Sequence, residues 1–152
     1  MATEASKVKA ELAEARAAVD PDYAPSDSEE YMSERQRDFF RVLLLDWKKS
    51  IHDAAGQTLQ SLQDGPMREP DVADRASSET DWSIELRTRD RQRKLIAKID
   101  AALRRIDAGE YGYCEKTGDP IGLKRLIARP VATMTVEAQE AHERRERISR
   151  DD

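Results

Sequence analysis

Three groups of residues in this 152-residue chain have types and spacings from which chemistry follows. Asp71 and Asp74 set two carboxylates just after Pro70. At a helix start they cap free amides and favour the positive end of the helix dipole. The same pair on a rigid mount also suits a basic partner, or a Mg²⁺ that finds its other ligands elsewhere. Cys114-x-x-Thr117, followed by Thr135-x-x-Ala138, has the frame of a four-ligand zinc knuckle with three ligands absent. Structural zinc takes four donors, so no zinc is expected here. With no base beside it, Cys114 reads as a small buried residue; a redox thiol is the alternative. The third group, Lys98, Arg104, Lys124, Arg125 and Arg129, is a candidate anion pocket. His52 and His142 lack metal-ligand spacing and read as surface residues. No phosphate loop, nucleophile elbow or His/Glu metal motif is present, which argues against an enzyme.

The elements that must position these groups are helical. Residues 33–109 read as two long helices broken at Asp64-Gly65-Pro66-Met67-Arg68-Glu69-Pro70-Asp71. Gly and Pro stop the first helix, and Pro70-Asp71 starts the second. The expected form is an antiparallel coiled-coil hairpin with its tip near residues 64–76. Ser33-Glu34-Arg35-Gln36 is a capping-box signature, with Gln36 reaching back to the cap amide. Phe40, Leu44, Trp47, Ile51, Ala54 and Thr58 alternate at spacings of four and three, as a coiled-coil seam does. About 32 residues at ~1.5 Å each make a helix of roughly 48 Å.

The rest of the chain forms the base. Residues 1–32 give an N-terminal helix over 3–19, with Val8, Leu12, Ala15 and Val19 as a narrow docking stripe, and an acidic Pro/Ser linker. Residues 110–134 are a Gly-rich knuckle with turns and a small β-hairpin, packed by Tyr111, Tyr113, Ile121 and Leu126, with one or two helical turns over 123–128. Residues 135–152 carry a last helix, from Val136 to Ser149, capped by Thr133 or Thr135. The fold class is mainly α: a long hairpin projecting from a small globular base.

Composition narrows the function. Charged residues make up 38% and aromatics 5%, which suits solvated helices better than a large core. A net charge of -5 argues against coating nucleic acid. No apolar run reaches the ~20 residues of a membrane span, and Met1-Ala2-Thr3-Glu4 shows no export pattern. A cytoplasmic protein is expected.

Several stretches together resemble the DksA family of bacterial RNA polymerase-binding transcription factors (DksA/TraR type). They are Glu30-Tyr31-Met32-Ser33-Glu34, Asp71-Val72-Ala73-Asp74-Arg75-Ala76 and Glu85-Leu86-Arg87-Thr88-Arg89-Asp90-Arg91-Gln92-Arg93-Lys94-Leu95-Ile96. Tyr111-Gly112-Tyr113-Cys114-Glu115 and Ile121-Gly122-Leu123-Lys124-Arg125-Leu126-Ile127-Ala128-Arg129-Pro130 complete the set. The resemblance implies a coiled coil that enters the polymerase secondary channel and destabilises open promoter complexes in the stringent response. It implies Asp71, Asp74 and Ala76 as tip residues near the polymerase active centre, and Arg87 and Arg91 as contacts to the channel rim on the largest subunit. It implies guanosine tetraphosphate (ppGpp) at Arg91, Leu95, Lys98 and Arg129, where factor and polymerase meet. The chain departs from the family pattern twice. The zinc cysteines correspond to Cys114, Thr117, Thr135 and Ala138, as in a cysteine-poor, zinc-independent branch, and the family's lysine after the knuckle is Gln139, which weakens the alarmone pocket by one charge. A monomer without sequence-specific DNA binding is implied. The alternatives are a transcript-cleavage factor of the same channel, which the placement of the acids at a helix start disfavours, and a structural coiled-coil adaptor.

Overall fold

The computed structural model describes the backbone of residues 3–63 and 72–151, and the side chains of 3–56, 77 and 79–150. Five helices follow one another: α1 (Glu4–Ala17), α2 (Glu34–Gln63), α3 (Val72–Ala108), α4 (Leu123–Ala128) and α5 (Val136–Asp151). At ~1.5 Å per residue, the 30 residues of α2 and 37 of α3 make rods of roughly 45 and 55 Å. Asp71 lies outside the described residues.

The root of the hairpin is where it is packed. Phe40, Leu44 and Ile51 of α2 are buried against Ile99, Ala102 and Ile106 of α3, in one cluster with Tyr111, Cys114, Ile121, Leu123 and Leu126. Two ion pairs cross the helices, Arg41–Asp107 at 2.8 Å and Lys48–Asp100 at 2.6 Å. Both pairs satisfy the same antiparallel register, and Lys48 is only 8% exposed. The expected seam holds as far as Ile51 and then changes: Ala54 is exposed while Ala55 is half-buried, and the side chain of Thr58 lies outside the described residues. A straight helix at 3.6 residues per turn falls behind a seven-residue repeat by ~20° per heptad, so the contact line moves on by a residue.

The helix ends obey their local chemistry, with one difference. The Thr3 hydroxyl accepts from the Ser6 amide at 3.1 Å, and α1 ends at Ala17 rather than Val19. Its Val8, Leu12 and Ala15 are buried, the latter two against Leu45 of α2. At α2, the Gln36 amide donates to Ser33 Oγ at 3.3 Å as the capping box requires. Gln36 Oε1, however, accepts from the Met32 amide at 2.8 Å rather than from Ser33. The Ser33 amide is already bonded to Glu30 O, and Met32 sits at φ 54°, turning its own amide inward. At the far end of α3, Gly109 takes φ 75° and the Glu110 amide reaches back to Arg105 O at 2.9 Å, a Schellman closure.

The expected β-hairpin of the knuckle is a single antiparallel bridge, Tyr113 to Pro120. Pro120 has no amide with which to extend a ladder, and Gly118 at φ 78° closes a tight turn with its amide on Cys114 O. Thr135, not Thr133, caps α5, accepting from the Ala138 amide at 3.2 Å.

Candidate functional site

The base holds a cleft of about 190 Å³ between α3, α4 and the start of α5. Lys98, Arg105, Arg125, Arg129 and Gln139 line it above Tyr111 and Ala102, and no carboxylate is among the lining residues. Two of the four cations are fixed by the knuckle. Arg105 donates to Tyr113 O at 2.8 Å and to Glu110 O at 3.3 Å, and Arg125 Nε donates to Met134 O at 2.9 Å. Each guanidinium keeps further N–H groups to offer. Lys98 and Arg129 form no ion pair among the described residues and are exposed. Four cations without a nearby acid repel one another in the empty cleft, and an anion relieves that cost. Gln139 donates to Glu143 Oε1 at 3.1 Å and adds no charge.

This cleft contains part of the expected anion pocket and leaves part out. Lys98, Arg125, Arg129 and Gln139 converge, whereas Arg104, Lys124, Arg91 and Leu95 do not line it. Leu95 packs against the core, and exposed Arg91 donates to Thr88 Oγ1 at 3.2 Å. Arg105 was not anticipated, although its spacing of seven from Lys98 puts both on one face of α3. Arg87 is exposed on the shaft. Asp74 and Ala76 stand in the first turns of α3, their side chains outside the described residues.

The knuckle positions gather around one sulfur. Cys114 is buried, 3% exposed. Burial pushes its thiol up, but the Thr117 hydroxyl and the amides of Thr135, Lys116 and Thr117 bring it from 9.0 down to about 7. The Glu115 amide donates to Thr133 O at 2.9 Å, tying the two halves of the frame together. These residues do not fit a four-thiolate zinc: Thr117 and Thr135 supply hydroxyls and half-buried Ala138 a methyl. Among the described residues no three His, Cys, Asp or Glu side chains converge to hold a metal ion. Tyr31 clamps the knuckle from outside, donating to Gly112 O at 2.7 Å and accepting from the Gly122 amide at 2.9 Å. Tyr111, buried beneath, donates to Pro130 O at 2.8 Å, and burial raises its hydroxyl well above the usual phenol range. Gly112 is required where it stands: at φ 93°, a Cβ there would come within 2.7 Å of Met32 Cγ.

The two histidines differ. His142 pairs with Glu146 at 3.2 Å on the exposed side of α5. His52, expected at the surface, is half-buried beside the seam, and its Nε2 has no hydrogen-bond partner among the described residues.

A two-helix projection on a base with a zinc-finger-like knuckle defines a class of coiled-coil transcription factors, and the comparisons agree. The family described as "DnaK suppressor protein DksA, N-terminal domain" matches residues 36–106, and "Prokaryotic dksA/traR C4-type zinc finger" matches 109–144. The RNA polymerase-binding transcription factor DksA of Caulobacter vibrioides is 61% identical over 131 residues, covering 86% of this chain and 92% of the relative. That of Escherichia coli K12 is 41% identical, covering 86% of each. The structure of transcription factor DksA2 from Pseudomonas aeruginosa superposes with a TM-score of 0.72 at 44% identity, over 81% of this chain and 93% of that one. The chain belongs to the DksA family.

Proposed function

We propose that this protein regulates transcription by binding RNA polymerase directly. It inserts the α2–α3 hairpin into the secondary channel from the rim of the largest subunit and destabilises open promoter complexes, without catalysis of its own. Asp71, Asp74 and Ala76 act at the tip, Arg87 and Arg91 meet the rim, and ppGpp enters where the cleft of Lys98 and Arg129 faces the polymerase, with Arg91 and Leu95 beside it. The observation that carries this reading is a pair of helices of 30 and 37 residues rooted at a cleft of four cations and no acid. Gln139, neutral and bonded to Glu143, makes the alarmone response weaker than a lysine would. The protein works as a monomer in the cytoplasm, and no described helix is long and apolar enough to cross a membrane.

The knuckle holds its shape without zinc, through Tyr31, Arg105, Arg125 and Tyr111 acting on backbone carbonyls and through the sulfur-centred bonds at Cys114. A chelator therefore leaves the melting temperature unchanged, and a fall of several degrees would overturn this point.

The decisive measurement is open-complex lifetime on a ribosomal RNA promoter, for wild type and Asp74→Asn, with and without ppGpp. Wild type shortens the lifetime, more with ppGpp, and the variant binds polymerase but does not. A wild-type protein that leaves the lifetime unchanged sinks the proposal.

A further inference from the structure

Arg104 and Arg105 are neighbours in sequence and part company in the fold. Arg104 is exposed, whereas Arg105 is half-buried and lines the cleft with Lys98, Arg125 and Arg129. Seven residues after Lys98 on α3, it stands two turns nearer the base on the same face. Its mount is firm. The Arg105 carbonyl accepts from the Glu110 amide at 2.9 Å and the Tyr111 amide at 3.1 Å. Its Nη2 donates back to the same turn, to Glu110 O at 3.3 Å and Tyr113 O at 2.8 Å. Nη2 makes both of these bonds, so the N–H groups of Nε and Nη1 are left over. No carboxylate lines the cleft to take them.

Charge and size together define what can. The cleft sets four cations against no acid. A carboxylate brings one negative charge and leaves three cations uncompensated, whereas each phosphate group brings about −1.5 to −2 at neutral pH. A volume of about 190 Å³ is below the roughly 300–1,000 Å³ of pockets that enclose a whole drug-sized ligand. The cleft therefore suits a charged end group whose remainder lies outside. Arg125 is held in the same manner as Arg105, its Nε on Met134 O at 2.9 Å. Two of the four cations are thus ordered before a ligand arrives, which removes part of the entropic cost of binding.

We infer that Arg105 is a direct phosphate contact. It takes a diphosphate end of ppGpp through the N–H groups that the knuckle leaves over, while its Nη2 stays on Tyr113 O and Glu110 O. The placement rests on the alarmone reading of this cleft and adds a fixed cation to the exposed Lys98 and Arg129. Gln139 lines the same cleft without charge, so Arg105 carries a larger share of phosphate binding than it would beside a lysine.

The test is the ppGpp concentration that gives half of the additional shortening of open-complex lifetime on a ribosomal RNA promoter. It is measured with RNA polymerase holoenzyme and full-length wild type, Arg105→Gln and Arg105→Lys, with melting temperatures to show that each variant is folded. Arg105→Gln keeps an N–H donor and loses the charge; Arg105→Lys keeps the charge and loses the fork. We expect Arg105→Gln to need about tenfold more ppGpp or beyond, the loss of a charge-assisted hydrogen bond, and Arg105→Lys to need no more than about threefold. An unchanged ppGpp requirement in Arg105→Gln overturns the inference and leaves the alarmone reading standing. Equal losses in the two variants assign Arg105 to support of the knuckle and overturn the inference as well. A wild type whose open-complex lifetime does not respond to ppGpp overturns the alarmone reading itself, and the inference with it.

Discussion

The inner and outer halves of the hairpin are the same two helices built on opposite terms. Near the base, Phe40, Leu44 and Ile99 are fully buried and two cross-helix ion pairs hold the register. Farther out along α3, Trp82, Ile84 and Leu86 are 39%, 52% and 48% exposed. Among the described residues, buried polar atoms without partners occur in both halves: Arg37 Nε at the root, and His52 Nε2, Glu85 Oε2 and Gln92 Oε1 farther out. These three apolar side chains of α3 therefore leave much of their surface to solvent. Among the described residues the apolar packing is concentrated at the root, and the projecting part of α3 leaves apolar surface exposed. That division suits a probe that has to be rigid where it is mounted and receptive where it works.

The comparison breaks most directly by truncating one residue in each half. Leu44→Ala empties a fully buried site and is expected to cost about 2–5 kcal/mol, read as a large fall in melting temperature. Leu86→Ala, half in solvent, is expected to cost no more than about 0.5 kcal/mol. Equal costs would mean that the outer half is packed as tightly as the root. Next in size is Tyr31→Phe, which removes one hydroxyl from both Gly112 O and the Gly122 amide. Gly112 O keeps the Ile121 amide, so the group left unpaired is the half-buried Gly122 amide, which should cost roughly 1–3 kcal/mol. It should also raise amide exchange in the knuckle while exchange along α3 beyond Arg91 stays as in wild type. Uniform exchange changes would show that the knuckle and shaft are not separable.

A third test uses pH to loosen the base alone. The Tyr23 hydroxyl and the Ser26 amide donate to Glu29, which holds its carboxyl below the ordinary 4.5. A carboxyl whose pKa is depressed in the folded state contributes stability above its unfolded value, and that contribution is lost as pH falls through the folded one. Stability should thus fall below about pH 4.5, and Tyr23→Phe should make the fall shallower by raising the folded pKa of Glu29. Carboxyl NMR titration of Glu29 reads this directly; an unchanged midpoint in Tyr23→Phe would remove the hydroxyl as the cause.

What the sequence disclosed follows the same division. The root was legible because its signals are local: alternating apolar spacings for α2, a Gly after α3 that takes φ 75°, a capping threonine before α5, read as Thr133 or Thr135 and found at Thr135, and a tyrosine-rich knuckle core. The Gln36 contact was missed by one residue because Met32's positive φ is not encoded by its type. The β-hairpin was overread because Gly and Pro mark turns without saying whether strands flank them. Arg105 and His52 were missed because a charged residue's partners depend on where distant elements land. The tip acids were read entirely from sequence: Asp71 and the side chain of Asp74 lie outside the described residues.

The ion pairs offer the smallest and sharpest contrast. Lys48–Asp100 and Arg16–Asp46 are almost equally short, 2.6 and 2.7 Å, but differ in surroundings. The Lys48 side chain is 10% exposed and Asp100's 36%, against 58% and 54% for the second pair. Water screens the second pair, so its coupling in a double-mutant cycle should fall within ~0–1 kcal/mol and fade with salt. The first is shielded on the lysine side, so its coupling should be larger, about 1–2 kcal/mol, and persist at high salt. Its effect should also be geometric, since it joins α2 to α3 at a fixed register just below the point where apolar packing thins. Asp100→Asn should therefore loosen the outer half, seen as faster exchange of amides beyond Ile51, while Asp46→Asn leaves that exchange as in wild type. If the two substitutions behave alike, the register is set by the apolar root alone and the buried lysine is a passenger.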